Sequence, residues 1–196
     1  MNKNSYNKIA DTWAAARSNA IVNQPIIDFA GKIKAKGNIL DIGCGTGLPV
    51  AKYLSEQKKA VVGIDASDRM IAIAQSNKIK NAQFISCDFF DFSPVERFDG
   101  VIAWDSLFHF PKKRQKEIYE KVYHWLQPVG YFLFTHGKEA DEHTDKMFGQ
   151  QFYYSCLSKD VVLRLMGKIG FHLEYSIENY AEGNDRRDWV VLVKRQ

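Results

Sequence analysis

Short apolar runs recur along the first two thirds of the chain, at residues 38–42, 60–64, 82–86, 98–103 and 131–135. Each has the length of a buried strand, and the first three are followed by a turn or a helical pattern. Between them apolar positions take a helical spacing over residues 48–56, 68–77 and 112–126. Strand–helix alternation of this kind predicts a mainly parallel sheet with helices on both faces. After residue 157 the pattern changes. Residues 158–169 read as a helix capped by Ser158 and stopped by Gly170, and residues 171–179 and 188–194 as a closing antiparallel pair around the turn Glu182-Gly183-Asn184-Asp185. Ahead of the first strand, residues 5–17 and 25–34 form two more helices with no strand to connect, and the first is placed to act as a lid. Residues 136–157 show neither period and read as an irregular segment carrying Phe148, Phe152, Tyr153 and Tyr154.

Seven strands in 196 residues, with no repeat or Pro/Ser-rich linker, predict one domain over residues 1–196. No apolar run reaches the roughly 20 residues needed to span a bilayer. The first residues are polar and do not read as a secretory signal, so a cytoplasmic location is expected. The three cysteines, Cys44, Cys87 and Cys156, read as reduced packing residues. A net charge of +4 is modest, and the clusters at residues 111–114 and 186–187 read as solvated turns, so no nucleic-acid partner is expected.

Candidate chemistry starts at the end of the first strand. Leu40-Asp41-Ile42 leads into Gly43-Cys44-Gly45-Thr46-Gly47, a turn in which glycines let the backbone close on a ligand beside a helix N-terminus. The third glycine comes one residue earlier than in the Gly-x-Gly-x-x-Gly loop of dinucleotide-binding proteins, which disfavours NAD. No Gly-Lys-Ser/Thr follows, which excludes a P-loop. The second strand ends at Asp65, a carboxylate suited to the two hydroxyls of a ribose, and the third at Asp88-Phe89, an acceptor for an adenine amino group beside a ring. Three successive strand ends therefore converge on a nucleoside.

With these residues the chain resembles the class I S-adenosylmethionine-dependent methyltransferases, and more narrowly their small ubiquinone/menaquinone-biosynthesis-like group. The resemblance also takes in Asp65-Ala66-Ser67 with Met70, the segment from Phe98-Asp99 to His109, and Leu126-Gln127-Pro128-Val129-Gly130, where Val129 replaces the usual glycine. It implies a Rossmann-like α/β fold and S-adenosylmethionine as cofactor. By position, Asp41, Gly43, Cys44 and Gly45 would surround its methionine half, Asp65 would hold the ribose, Ala66 and Met70 would flank the adenine, and Asp88 and Phe89 would meet its amino edge. Trp104-Asp105 and the residues up to His109 would lie at the donor–acceptor junction, with His109 the candidate general base and Asp105 a candidate for orienting substrate or cofactor amine. On the first helix Tyr6, Trp13 and Arg17 share a face, and Arg17 or Tyr6 would reach the methionine carboxylate. The acceptor is expected to be a small molecule and no metal site is expected. An Asn-Pro-Pro-Tyr motif, which would point to a nucleobase, is absent. A non-catalytic protein that only binds the cofactor, or an NAD-dependent oxidoreductase, are the alternatives.

Overall fold

The computed structural model describes residues 2–196. Its strands are β1 (Asn38–Ile42), β2 (Ala60–Asp65), β3 (Ala82–Ser86), β4 (Phe98–Ala103), β5 (Leu126–His136), β6 (Asp141–Met147), β7 (Gln150–Cys156), β8 (Phe171–Glu182) and β9 (Asp185–Arg195). Its helices are α1 (Asn2–Ala16), α2 (Gln24–Lys32), α3 (Val50–Glu56), α4 (Asp68–Ser76), α5 (Gln115–Trp125) and α6 (Lys159–Ile169). Seven strands form one sheet in the order β3-β2-β1-β4-β5-β9-β8. The first five are parallel, and β9 runs antiparallel to both β5 and β8.

The continuous apolar runs of the central strands are explained by burial on both sides. Alternate residues Leu40, Val101, Phe132 and Val191 pack with Ile118, Val122 and Val162 of α5 and α6. Their neighbours Ile39, Ile102, Leu133 and Val190 pack with Phe29, Leu54 and Ile71 of α2, α3 and α4. The chain leaves β1 toward one helical layer and β4 toward the other. That reversal opens a crevice at the carboxyl ends of these adjacent strands, where open α/β sheets hold their ligands.

Two local expectations change. Residues 136–157 are not irregular: β6 and β7 form a separate antiparallel hairpin joined at Phe148 (φ 48°) and Gly149 (φ 76°). Two successive left-handed residues make the tight turn that fits strand twist, but phenylalanine is an unusual first residue for it. β6 is almost wholly polar and exposed, so no alternating pattern announced it. Ser158 does occupy the N-cap of α6, yet its hydroxyl makes no capping bond, while Gly170 (φ 112°) ends the helix as expected. Among the described residues no helix is long and apolar enough to cross a membrane.

Candidate functional site

A cavity of about 600 Å³ opens over the carboxyl ends of β1, β2 and β4. The turn after β1 forms its floor. Gly43 has φ 72°, and a Cβ there would lie 2.4 Å from the Cβ of Ser106, whose hydroxyl donates to the Ile42 carbonyl at 2.7 Å. Gly45 has φ 52° and meets no heavy atom within 4 Å, so its missing side chain leaves open space above the turn. The Asp65 carboxylate is held against this loop, accepting from the Gly45 N–H at 3.0 Å and the Ser67 N–H at 2.8 Å. Burial raises its pKa against the effect of those two bonds.

Asp41 is different. Its carboxyl is buried, and Oδ2 has no hydrogen-bond partner among the described residues. Burial, with the nearby Asp65 charge, pushes its pKa up to about 7. A buried carboxylate without a partner is costly, and a ligand cation in the cavity is what would offset that cost. The residues therefore fit S-adenosylmethionine: an acid for its ammonium, a carboxylate already anchored for ribose hydroxyls, and a backbone floor free of side chains. Ala66, Met70, Asp88 and Phe89 line the end formed by β2, α4 and the β3 exit, with Asp88 turned by a 2.8 Å bond from the Phe90 N–H. Cys44 lines the floor, where burial and the two acids raise its thiol pKa well above the ordinary value and suppress thiolate chemistry.

Tyr6, Trp13, Arg17, Trp104 and His109 line the opposite end. The structure gives His109 three protein partners, Tyr153, Asn2 and Tyr6. Its Nδ1 lies 3.0 Å from the Tyr153 carbonyl and 2.9 Å from the Asn2 amide nitrogen, and Nε2 lies 2.8 Å from the Tyr6 hydroxyl; in the tautomer that donates from Nδ1 to the carbonyl, Nε2 accepts from Tyr6. Burial lowers the His109 pKa to about 4 and raises that of Tyr6, so both groups are neutral. Tyr6 is thus committed to His109 rather than free to reach a methionine carboxylate, which leaves Arg17 alone of the two candidates for that contact.

Helix α1 straps this end. Asn2 pairs its side-chain amide with both backbone groups of Tyr153, at 2.8 and 2.9 Å, and the Ser5 hydroxyl donates to the Gln151 carbonyl at 2.6 Å. Farther along, Asn7 accepts from the Ser67 hydroxyl at 2.7 Å and Asp11 pairs with Arg69 at 2.7 Å, which fixes α1 to the start of α4.

Arg187 was not singled out by the sequence, and its reading as part of a solvated turn is corrected. Its side chain is 6% exposed, Nη2 donates to Oδ2 of Asp105 at 2.7 Å, and Nε lies 2.7 Å from Oδ1 as an ion pair without hydrogen-bond geometry. Burying a guanidinium requires such a partner. Arg17 approaches the same carboxylate at 3.9 Å. A usable signal was the two-residue spacing from Arg187 to the buried Trp189, which puts both on one strand face.

A second cavity, of about 460 Å³, adjoins the first and shares Tyr6, Trp13, Arg17, Asp105 and His109 with it. The hairpin supplies part of its wall through Asp141, His143, Met147 and Tyr154.

Comparison with known proteins agrees with this architecture. Residues 39–130 match the methyltransferase domain family. The chain is 32% identical over 155 residues to YqeM of Bacillus subtilis (strain 168), which carries a provisional methyltransferase name, with 74% of this chain and 62% of that protein covered. It is 27% identical to the sterol 24-C-methyltransferase erg-4 of Neurospora crassa over 80% of this chain and 45% of that protein. The chain thus spans less than two thirds of the length of these relatives. In fold it is similar to the magnesium protoporphyrin IX methyltransferase of Synechocystis PCC 6803 with bound SAH, with a TM-score of 0.75, 16% identity and coverage of 99% and 97%. These matches do not single out the ubiquinone/menaquinone-like group. They and the glycine turn at the end of β1 support a class I S-adenosylmethionine-dependent methyltransferase, the match to a methyltransferase domain running over residues 39–130.

Proposed function

We propose that this chain moves a methyl group from S-adenosylmethionine to a nucleophilic atom of a small molecule, with residues 1–196 acting as one domain and α1 as a lid. The observation that carries the reading is the orphaned Asp41 oxygen, in the same cavity as the anchored Asp65. In this reading Asp41 takes the ammonium, Arg17 the carboxylate and Asp65 the ribose hydroxyls. Asp88 and Phe89 meet the adenine edge, with Ala66 and Met70 beside the ring. Gly43, Cys44 and Gly45 give backbone contacts, and Trp13 and Trp104 close the methionine end. When bound, S-adenosylmethionine supplies an electrophilic methyl group whose departure leaves a neutral thioether. What the chain adds is alignment, exclusion of water by α1, and a place for the acceptor's proton. The Tyr6 oxygen accepts that proton while Tyr6 donates its own to Nε2 of His109, so His109 acts as base through Tyr6.

Calorimetry with S-adenosylmethionine and S-adenosylhomocysteine tests the cofactor half, with micromolar binding that Asp41→Asn weakens as the expected result. Labelled methyl transfer to pooled metabolites tests the reaction. Absence of binding to both ligands at high micromolar concentration refutes the proposal.

A further inference from the structure

The second cavity is walled by rings that touch in sequence. Trp13 meets Tyr6 at 6.1 Å between centroids, Tyr6 meets His109 at 5.4 Å, His109 meets Tyr154 at 5.0 Å, and Tyr154 stacks on His143 at 5.2 Å with 17° between planes. Phe108 fills the angle between His109 and Tyr154 at 4.7 and 5.8 Å. All six rings line the cavity, and its volume suits a fused two- or three-ring compound. A run of aromatic side chains favours a flat, conjugated guest over a branched or saturated one of equal size, because ring faces and edges pair best with other rings.

The proton path restricts the guest's reacting group. Nδ1 of His109 is occupied by the Tyr153 carbonyl and the Asn2 amide, and Nε2 faces the Tyr6 hydroxyl, which donates to it in the tautomer protonated at Nδ1. Tyr6 can therefore take one proton from an oxygen acid and pass one on. Burial makes His109 a weak base, with a pKa of about 4. A base that weak draws effectively only on a hydroxyl that is itself acidic. Alkanols are poor partners for it, and an ammonium offers no lone pair until it has lost its proton. Resting on the methyltransferase reading, we infer that the acceptor is a planar aromatic compound methylated on a phenolic or enolic hydroxyl.

The step balances as a displacement. The acceptor oxygen forms a bond to the methyl carbon as the carbon–sulfur bond of the sulfonium donor breaks, and sulfur keeps the bonding pair. The hydroxyl proton passes to the Tyr6 oxygen while the Tyr6 proton passes to Nε2 of His109, which later releases it to solvent. The products are an aryl methyl ether, S-adenosylhomocysteine and one proton.

The test uses the full chain and four probes: 1-naphthol, 4-nitrophenol, cyclohexanol and phenethylamine. First, 1-naphthol is titrated into protein saturated with S-adenosylhomocysteine. Binding is expected, with Tyr154→Ala weakening it by about tenfold and Tyr154→Phe, which keeps the ring, restoring it. Tyr154 and Phe108 lie outside the cofactor cavity, so S-adenosylhomocysteine affinity reports separately on fold and donor site. Second, transfer of labelled methyl is expected to both phenols, faster to the more acidic 4-nitrophenol, and not to cyclohexanol. Methylation of phenethylamine or cyclohexanol at rates equal to 1-naphthol overturns the inference. So does failure of 1-naphthol to bind, or binding without methyl transfer, in protein that holds S-adenosylhomocysteine. Failure to bind S-adenosylhomocysteine refutes the methyltransferase reading instead.

Discussion

Replacing Asp41 by Asn separates the stability cost of the cofactor site from its use. The carboxyl ordinarily titrates at 3.8, but in the folded chain burial and Asp65 push it up to about 7. Between those values the folded state retains a proton that the unfolded state has released. The carboxyl therefore destabilises the fold increasingly as pH rises through this window, and its penalty is complete above about 7. A gap of about three pH units corresponds to about 4 kcal/mol. Wild-type stability alone does not isolate this effect. His109 is shifted the other way, from 6.5 to about 4, and His136 is lowered too, so both lose stability as pH falls. The clean quantity is the difference between Asp41→Asn and wild type in urea unfolding of the ligand-free protein. It should favour the variant by about 2 kcal/mol at pH 5 and by about 4 kcal/mol at pH 8, over any constant offset from the amide. Calorimetry at pH 6 in buffers of different ionisation enthalpy should show wild type releasing close to one proton on binding S-adenosylmethionine, as the ammonium ionises Asp41. The variant should release none and bind at least tenfold more weakly. A stability difference that does not change with pH, or undiminished affinity, would refute the role given to Asp41.

Other substitutions test other parts of the site. His109→Gln should lower turnover by about 100-fold while S-adenosylhomocysteine affinity stays within about threefold. Because burial keeps His109 neutral down to about pH 4, wild-type kcat for a fixed acceptor should show no loss centred near 6.5. Loss centred there would mean that the imidazole is exposed in the working enzyme. Gly43→Ala combines a left-handed φ with a 2.4 Å approach to Ser106 and should cost about 2–4 kcal/mol in unfolding experiments. Gly45→Ala meets no atom and should cost about 1 kcal/mol while weakening the cofactor, so equal stability losses at the two glycines would contradict the geometry. Asp105→Asn leaves the buried Arg187 guanidinium with only the more distant Asp185 carboxylate, at 3.8 Å, and should destabilise by about 3 kcal/mol; a change below about 0.5 kcal/mol would show that the pair is solvated.

Much of the sheet was legible because burial on both faces leaves continuous apolar runs. β1, β3 and β4 begin and end where those runs do, and β2 extends one residue further, to Asp65. β5 is longer than residues 131–135 because its polar start around Gln127-Pro128-Val129 carries no apolar signal. The hairpin escaped notice because its stabilising contacts are distant in sequence. Phe152 is buried against Tyr6, and Gln151 and Tyr153 are bonded by Ser5 and Asn2, more than 140 positions away. At the donor end, strand-end acids and glycines sit where local sequence puts them, and all the residues expected there line one cavity. At the acceptor end the decisive pairings, Asp105 with Arg187 and His109 with Tyr6, join segments that only the tertiary fold brings together.

The same pairings make the proton path depend on where α1 sits. Tyr6 reaches His109 only because the N-terminal turn of α1 is bonded to β7 through Asn2 and Ser5, while its middle is bonded to the start of α4 beside Asp65. In the proposed mechanism, closing the helix over the cofactor and presenting a hydroxyl to His109 are then one event, because a helix of 15 residues moves its side chains together. Release of α1 from β7 should therefore damage proton transfer more than cofactor binding. Ser5→Ala with Asn2→Ala removes the three bonds to the hairpin, together with the Asn2 contact to Nδ1 of His109, and leaves the Asn7 and Asp11 contacts in place; Ser5→Ala alone loosens the helix without touching His109. The double variant is expected to lose at least tenfold in turnover with S-adenosylhomocysteine affinity changed by no more than about threefold. Equal losses in the two measurements would show that α1 serves the cofactor alone, and that the His109 site does not depend on how the helix is seated.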